Sequence, residues 1–156
     1  MVNTKEECVK FVSACRYAPR GNRSFGPVRA RIYGGDDYFH HANDTLLNFA
    51  MIETTEAVDN LEKILSVEEL DAVYVGPSDL AVTMGYVPYT YEKEVEDCIK
   101  YIVDTCKKYN IKAGIHCPDG KTVKERFNIG YDLGTISADA ALLTQASKRE
   151  ITDAKS

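Results

Sequence analysis

From residue 48 onward the chain alternates short apolar runs with helix-length segments four times over. Strand-like runs occupy 48–52, 71–75, 111–116 and 132–136, and helical periodicity fills 55–65, 91–109, 119–128 and 139–147. Consecutive strands separated by a helix lie parallel and are joined by right-handed crossovers. The helix over 91–109 has the clearest signal, because Val95, Cys98, Ile99, Ile102, Val103 and Cys106 form one apolar stripe. Gly130 stands where a helix C-cap belongs, and Asp71, Lys112 and Asp132 mark the polar entrances of their strands. Four such units are half of a (β/α)8 barrel, which needs roughly 250 residues in full. The expected fold class is α/β, the second half of a TIM barrel.

Ahead of these units, Thr4-x-x-Glu7 is a capping box, and Cys8, Phe11, Val12 and Cys15 follow at helical spacing, which predicts a helix over 5–16. Residues 18–45 are rich in Gly, Pro, Asn, Asp and aromatics without sustained period, so they read as a long ordered loop with a short helix near Tyr38 to Asn43. The expected organisation is one domain: helix and loop over 1–47, the four units over 48–147, and a tail over 148–156.

Composition narrows the partners. The 19 Lys and Arg are scattered among 24 Asp and Glu, for a net charge of -5, so no basic patch for nucleic acid is expected. No apolar run approaches the ~20 residues of a membrane span, and no secretory leader pattern opens the sequence, so a cytoplasmic protein without a membrane partner is expected. Five cysteines, an odd number without metal-site spacing, are expected to be reduced and structural.

Two segments carry the chemistry. Met51-Ile52-Glu53-Thr54 and Val73-Tyr74-Val75-Gly76-Pro77-Ser78-Asp79 each read as an apolar strand that runs into a carboxylate, with one helix-length segment between them. Glu53 and Asp79 should therefore emerge side by side at the carboxyl edge of the sheet, where α/β proteins bind ligands. Neighbouring strands lie ~4.8 Å apart, close enough for both carboxylates to reach one cation at ~2.1 Å. Two hard oxygen donors suit Mg²⁺ or Mn²⁺, with Co²⁺ or Zn²⁺ as further options, and leave coordination sites open. Gly76 lets the backbone approach a ligand. The structural alternatives are that Glu53 serves the positive end of a helix and that Asp79 is an N-cap or turn residue.

Of the three histidines, His40 and His41 read as exposed loop residues. His116 ends a strand and either lines the site or does not; beside it, Cys117 should face the opposite side. Gly120-Lys121-Thr122 imitates the end of a phosphate loop, but Ile115 stands where that pattern needs Gly, so a nucleotide site is not expected.

The segments Glu53-Thr54, Gly76-Pro77-Ser78-Asp79-Leu80, Ala18-Pro19-Arg20-Gly21-Asn22-Arg23 and Ser137-Ala138-Asp139-Ala140-Ala141-Leu142-Leu143 together resemble the HpcH/HpaI aldolase family of metal-dependent pyruvate aldolases. Typical members read Q-I-E-T, G-P-A-D-L-S and P-P-x-G-x-R-G at these places. Here Met51 stands for Gln, Ala18 for the first Pro, Ser24 for Gly and Ser78 for Ala. The resemblance implies a carbon–carbon lyase that cleaves a 4-hydroxy-2-oxo acid to pyruvate and an aldehyde through an enolate. It implies Glu53 and Asp79 as metal ligands, Gly76, Ser78 and Met51 at the substrate, and Arg23 in the loop near the mouth of the site. It further implies a homo-oligomer that exchanges the C-terminal helix. Met1-Val2 aligns with the end of the family's fourth strand, so the family's catalytic histidine and a pyruvate-binding arginine fall before it, and no catalytic base is assigned. The alternative expectation is a non-catalytic remnant, or a half-barrel that needs a complementary half.

Overall fold

The structure is a computed structural model that describes residues 1–90 and 92–156. Helix α1 spans Lys5–Cys15 and buries Cys8 and Val12. Thr4 caps it by accepting from the Glu7 N–H at 3.2 Å, whereas the Glu7 carboxylate reaches back to the N–H of Asn3, one residue before the cap, at 2.7 Å.

The segment expected as a loop holds two helices, α2 (Val28–Gly34) and α3 (Tyr38–Thr45). The short helix expected from Tyr38 to Asn43 is α3, two residues longer; α2 is additional and none of its residues is buried. The segment is tied to the body by a polar network. The buried Arg16 guanidinium donates to the Leu46 carbonyl at 2.7 Å, to Glu69 at 2.9 Å and to Asp71 at 3.1 Å. Arg20 bridges Glu69 and Asp44, and the Asn43 amide pairs with both backbone groups of Tyr17.

The sheet follows with strands β1 (Phe49–Ile52), β2 (Ala72–Val75), β3 (Lys112–Cys117) and β4 (Leu133–Ile136), all parallel and in sequential order. The helix expected over 55–65 is two pieces, α4 (Thr55–Asp59) and α5 (Leu61–Leu65). They are broken at Asn60, whose amide donates to the Asn3 and Glu56 carbonyls. An additional helix, α6 (Pro77–Thr83), starts directly after Gly76, with Pro at its first position and Leu80 and Ala81 buried. The 17-residue α7 (Lys93–Tyr109) carries the predicted stripe; Tyr91, where the sequence began this helix, lies outside the described residues. Helix α8 (Gly120–Ile129) is capped by Asp119 and ends on Gly130 at φ 109°, and α9 runs over Asp139–Asp153, six residues beyond the expected end.

Alternation along the strands sorts the side chains onto two faces. Ala50, Ile52, Val73, Val75, Ala113, Ile115 and Cys117 point to one face and are buried in the core with Leu61, Ile64, Val95, Ile99, Ile102, Val103 and Val123 of α5, α7 and α8. The opposite face carries Met51, Tyr74, Gly114 and Leu133 in one registered row, with His116 and Thr135 paired beyond it. Leu133 remains 42% exposed on this second face. Beside β1, the Val2 N–H donates to the Met51 carbonyl at 3.0 Å. Among the described residues, no helix is long and apolar enough to cross a membrane.

Candidate active site

At the carboxyl ends of β1 and β2 the chain places its two candidate ligands next to each other. The ladder continues one step past the strands, because the Gly76 N–H donates to the Ile52 carbonyl at 3.3 Å. That step sets Glu53 against Gly76: a Cβ on residue 76 would lie 2.5 Å from Glu53 Oε2. Gly76 is therefore required for the space that the carboxylate occupies. Asp79 follows in the first turn of α6, exposed, on a helix whose N-cap is Gly76, so Asp79 is not the N-cap. Nor does Glu53 cap α4; Thr54 does, accepting from the Ala57 N–H at 3.0 Å while its hydroxyl donates to Asn3.

Glu53 is only 7% exposed. Burial, and then the charge of Asp79, push its pKa above the ordinary carboxylate range, against the opposing pull of the α-ammonium of Met1 3.8 Å away. Two neighbouring carboxylates, one buried and with a cation as its sole ion-pair partner among the described residues, form an anionic pair that a divalent ion would neutralise. The donor set fits such an ion as two of its oxygen ligands, the remaining positions falling to water or substrate. Among the described residues, no three His, Cys, Asp or Glu side chains cluster closely enough to enclose a metal by themselves.

An open cleft of about 250 Å³ lies beside this pair, lined by Met51, Tyr74, Gly76, Ser78, Asp79, Tyr89 and His116 together with Pro77. The structure thus brings Met51, Gly76, Ser78 and Asp79 to one cleft, with Glu53 held against Gly76. Arg23 is placed elsewhere: its guanidinium stacks 4.7 Å from the Tyr17 ring centroid, beside the cluster of Tyr17, Phe25 and Phe39. His40 and His41 are exposed, and His41 pairs with Asp37. His116 faces the cleft while Cys117 is fully buried on the other face, as alternation demands. Tyr74 and Tyr89 are cleft residues that the sequence reading missed. A tyrosine within an apolar run reads as core, but the pairing of Tyr74 opposite Gly114 leaves its ring on the open face.

A larger cavity, about 530 Å³, lies at the amino-terminal end of the strands between α1 and the α5–β2 connection, lined by residues including Lys5, Val12, Arg20 and Glu69. Of its charged groups, Arg20 and Glu69 pair with each other and hold the α1–β1 segment. All five cysteines are free, and burial raises the Cys8 thiol to about 11 and the Cys106 thiol to about 12, which makes them inert core groups.

A parallel sheet with two carboxylates at its carboxyl edge beside a cleft has the layout of the carboxyl face of a β/α barrel. The sequence profile of the HpcH/HpaI aldolase/citrate lyase family matches residues 1–144, and the chain belongs to that family. It is 39% identical over 157 aligned residues to a hydroxypyruvate/pyruvate aldolase of Rhizorhabdus wittichii, covering 99% of this chain and 62% of the relative. It is 33% identical to a 4-hydroxy-2-oxo-heptane-1,7-dioate aldolase of Shigella flexneri, covering 95% of this chain and 57% of the relative. Among solved structures, an HpcH/HpaI aldolase/citrate lyase family protein of Burkholderia cenocepacia superposes with a TM-score of 0.90 at 26% identity, over 100% of this chain and 63% of that one. The chain spans about 60% of the length of the relatives it matches.

Proposed function

We infer that the chain carries the metal and keto-acid half of a pyruvate aldolase site, in which Glu53 and Asp79 hold a divalent cation. The observation that carries this reading is the Glu53–Gly76 contact, which keeps a buried carboxylate beside Asp79 at the edge of an open cleft. When bound, the ion would supply Lewis acidity toward the keto oxygen of a 2-oxo acid. Gly76 keeps the backbone low enough for the acid to approach, and Ser78 and Asp79 offer first-turn N–H groups that precede the α6 hydrogen-bond ladder. Met51 presents an apolar wall where an amide would otherwise bind water. Arg23, held on its stack with Tyr17 away from the cleft, has no part in this reading. The reaction class is retro-aldol cleavage of a 4-hydroxy-2-oxo acid to pyruvate and an aldehyde, in keeping with the names of the relatives.

The partly exposed face bearing Leu133 and His116 favours a second, compatible reading: a half-barrel completed by association. Helix α9, with Leu142, Leu143 and Ile151 exposed, is suited to reach a second copy. The test of the main reading is metal-dependent cleavage of a 4-hydroxy-2-oxo acid. Glu53→Gln and Asp79→Asn are each expected to abolish both Mn²⁺ binding and turnover, and full activity in either variant would remove these residues from the site.

A further inference from the structure

One polar group in the cleft has no task in the metal and keto-acid reading. His116 Nδ1 lies 3.1 Å from Thr135 Oγ1, and the same hydroxyl is hydrogen-bonded to the phenol of Tyr74. We propose that His116 is a catalytic residue that carries the proton of the aldol step, with Thr135 and Tyr74 as its positioning residues. This rests on the aldolase reading above.

Register places the ring where the reacting atoms must be. Val75 pairs with Ile115, so Gly76 and His116 fall in the next row, one strand spacing apart. A keto acid held against Gly76 and Asp79 has its C4 hydroxyl oxygen three bonds beyond the keto carbon, a reach comparable with the ~4.8 Å between neighbouring strands. The ring is also fixed in orientation. Tyr74 crosses β3 to reach Thr135 on β4, and it can do so because residue 114 is glycine; a Cβ there would lie 3.0 Å from Tyr74 Cδ2. With Nδ1 engaged by Thr135, Nε2 is the nitrogen left for the cleft. The threonine hydroxyl accepts from Nδ1–H while donating to Tyr74, or donates to a bare Nδ1 while accepting from Tyr74, so either tautomer is satisfied without moving a heavy atom.

In the cleavage direction Nε2 accepts the proton of the C4 hydroxyl. The C3–C4 bond breaks, C4 becomes the aldehyde carbonyl, and the bonding pair becomes the enolate of pyruvate. Nε2–H then gives its proton to solvent, and C3 of the enolate takes one from water once the aldehyde has left. One proton goes to solvent and one is taken from it, and no oxidant or reductant enters.

The test compares two substrates in the Mn²⁺-supplemented chain. Cleavage of 4-hydroxy-2-oxoheptanedioate needs removal of a hydroxyl proton; decarboxylation of oxaloacetate reaches the same enolate without one. His116→Asn is expected to lower cleavage by about 100-fold or more, while decarboxylation and Mn²⁺ affinity, read by electron paramagnetic resonance, stay unchanged. Thr135→Val is expected to lower cleavage alone, and Thr135→Ser to restore it. Wild-type cleavage in His116→Asn, a parallel loss of both reactions, or an unaltered chain that decarboxylates without cleaving would each overturn the proposal. An unaltered chain that decarboxylates nothing would remove the aldolase reading itself, and this inference with it.

Discussion

Glu53 Oε2 occupies the space that a side chain on residue 76 would need, at 2.5 Å from where its Cβ would sit. The glycine of the β2–α6 turn is thus a condition for the orientation of a carboxylate on the neighbouring strand. Gly76→Ala should push the Glu53 carboxylate aside and weaken Mn²⁺ binding by about 10- to 100-fold, the usual cost of disturbing a ligand's support. Titration monitored by electron paramagnetic resonance checks this, with circular dichroism to show that the fold is kept.

A divalent ion that binds only the folded chain stabilises it, by about 2.7 kcal/mol at a concentration 100 times its Kd. Thermal unfolding of the unaltered chain should shift upward with added Mg²⁺ or Mn²⁺. Glu53→Gln and Asp79→Asn should not respond. Without metal, Glu53→Gln should unfold no earlier than the unaltered chain at neutral pH, because a buried carboxylate beside Asp79 is already an electrostatic burden.

The opposite pole of the sheet is held by charge. Arg16, only 2% exposed, satisfies Leu46, Glu69 and Asp71 together, so Arg16→Met leaves three acceptors behind. A loss of about 3 kcal/mol in denaturant unfolding is expected, with protease sensitivity rising first in the α1–β1 segment.

Glu69 gives the pH dependence. The hydrogen bond from Arg20, and then that from Arg16, hold its carboxylate below the ordinary range against the opposing effect of burial. In the window between the lowered folded value and the ordinary glutamate value of ~4.3, the unfolded chain binds more protons, so stability falls as the medium is acidified. The contribution is fully present above that window and gone below the folded value. Glu69→Gln should therefore differ from the unaltered chain in urea unfolding at neutral pH and converge with it as pH drops through the window.

Much of this architecture was legible because it rests on period. The α7 stripe, the four apolar runs and the opposed His116 and Cys117 follow from 3.6- and 2-residue repeats alone. Helix α2 was invisible for the complementary reason: Val28, Ile32 and Tyr33 are at least 75% exposed, so no buried face imposes a pattern on them. The break at Asn60 depends on a carbonyl of Asn3, 57 residues away, which no local window contains. The closeness of Glu53 and Asp79 was readable because each follows an apolar run. The parts of Tyr74 and Thr135 were not, since their pairing needs β2 and β4 brought to either side of Gly114.

Helix α9 buries none of its residues and exposes Leu142, Leu143 and Ile151. If it joins a second copy, removal of 139–156 should lower the mass found by sedimentation equilibrium to that of one chain, without loss of the far-ultraviolet signal of the remaining helices. An unchanged mass would assign any association to another surface.

The most direct measurement is exchange of pyruvate methyl protons in deuterium oxide, followed by proton nuclear magnetic resonance with added Mg²⁺. Exchange that requires both the metal and Glu53, and vanishes in Glu53→Gln, is the predicted result. Exchange that persists in Glu53→Gln, or none from a folded chain that binds Mg²⁺, would contradict the assignment of this carboxyl edge as an enolate-forming site.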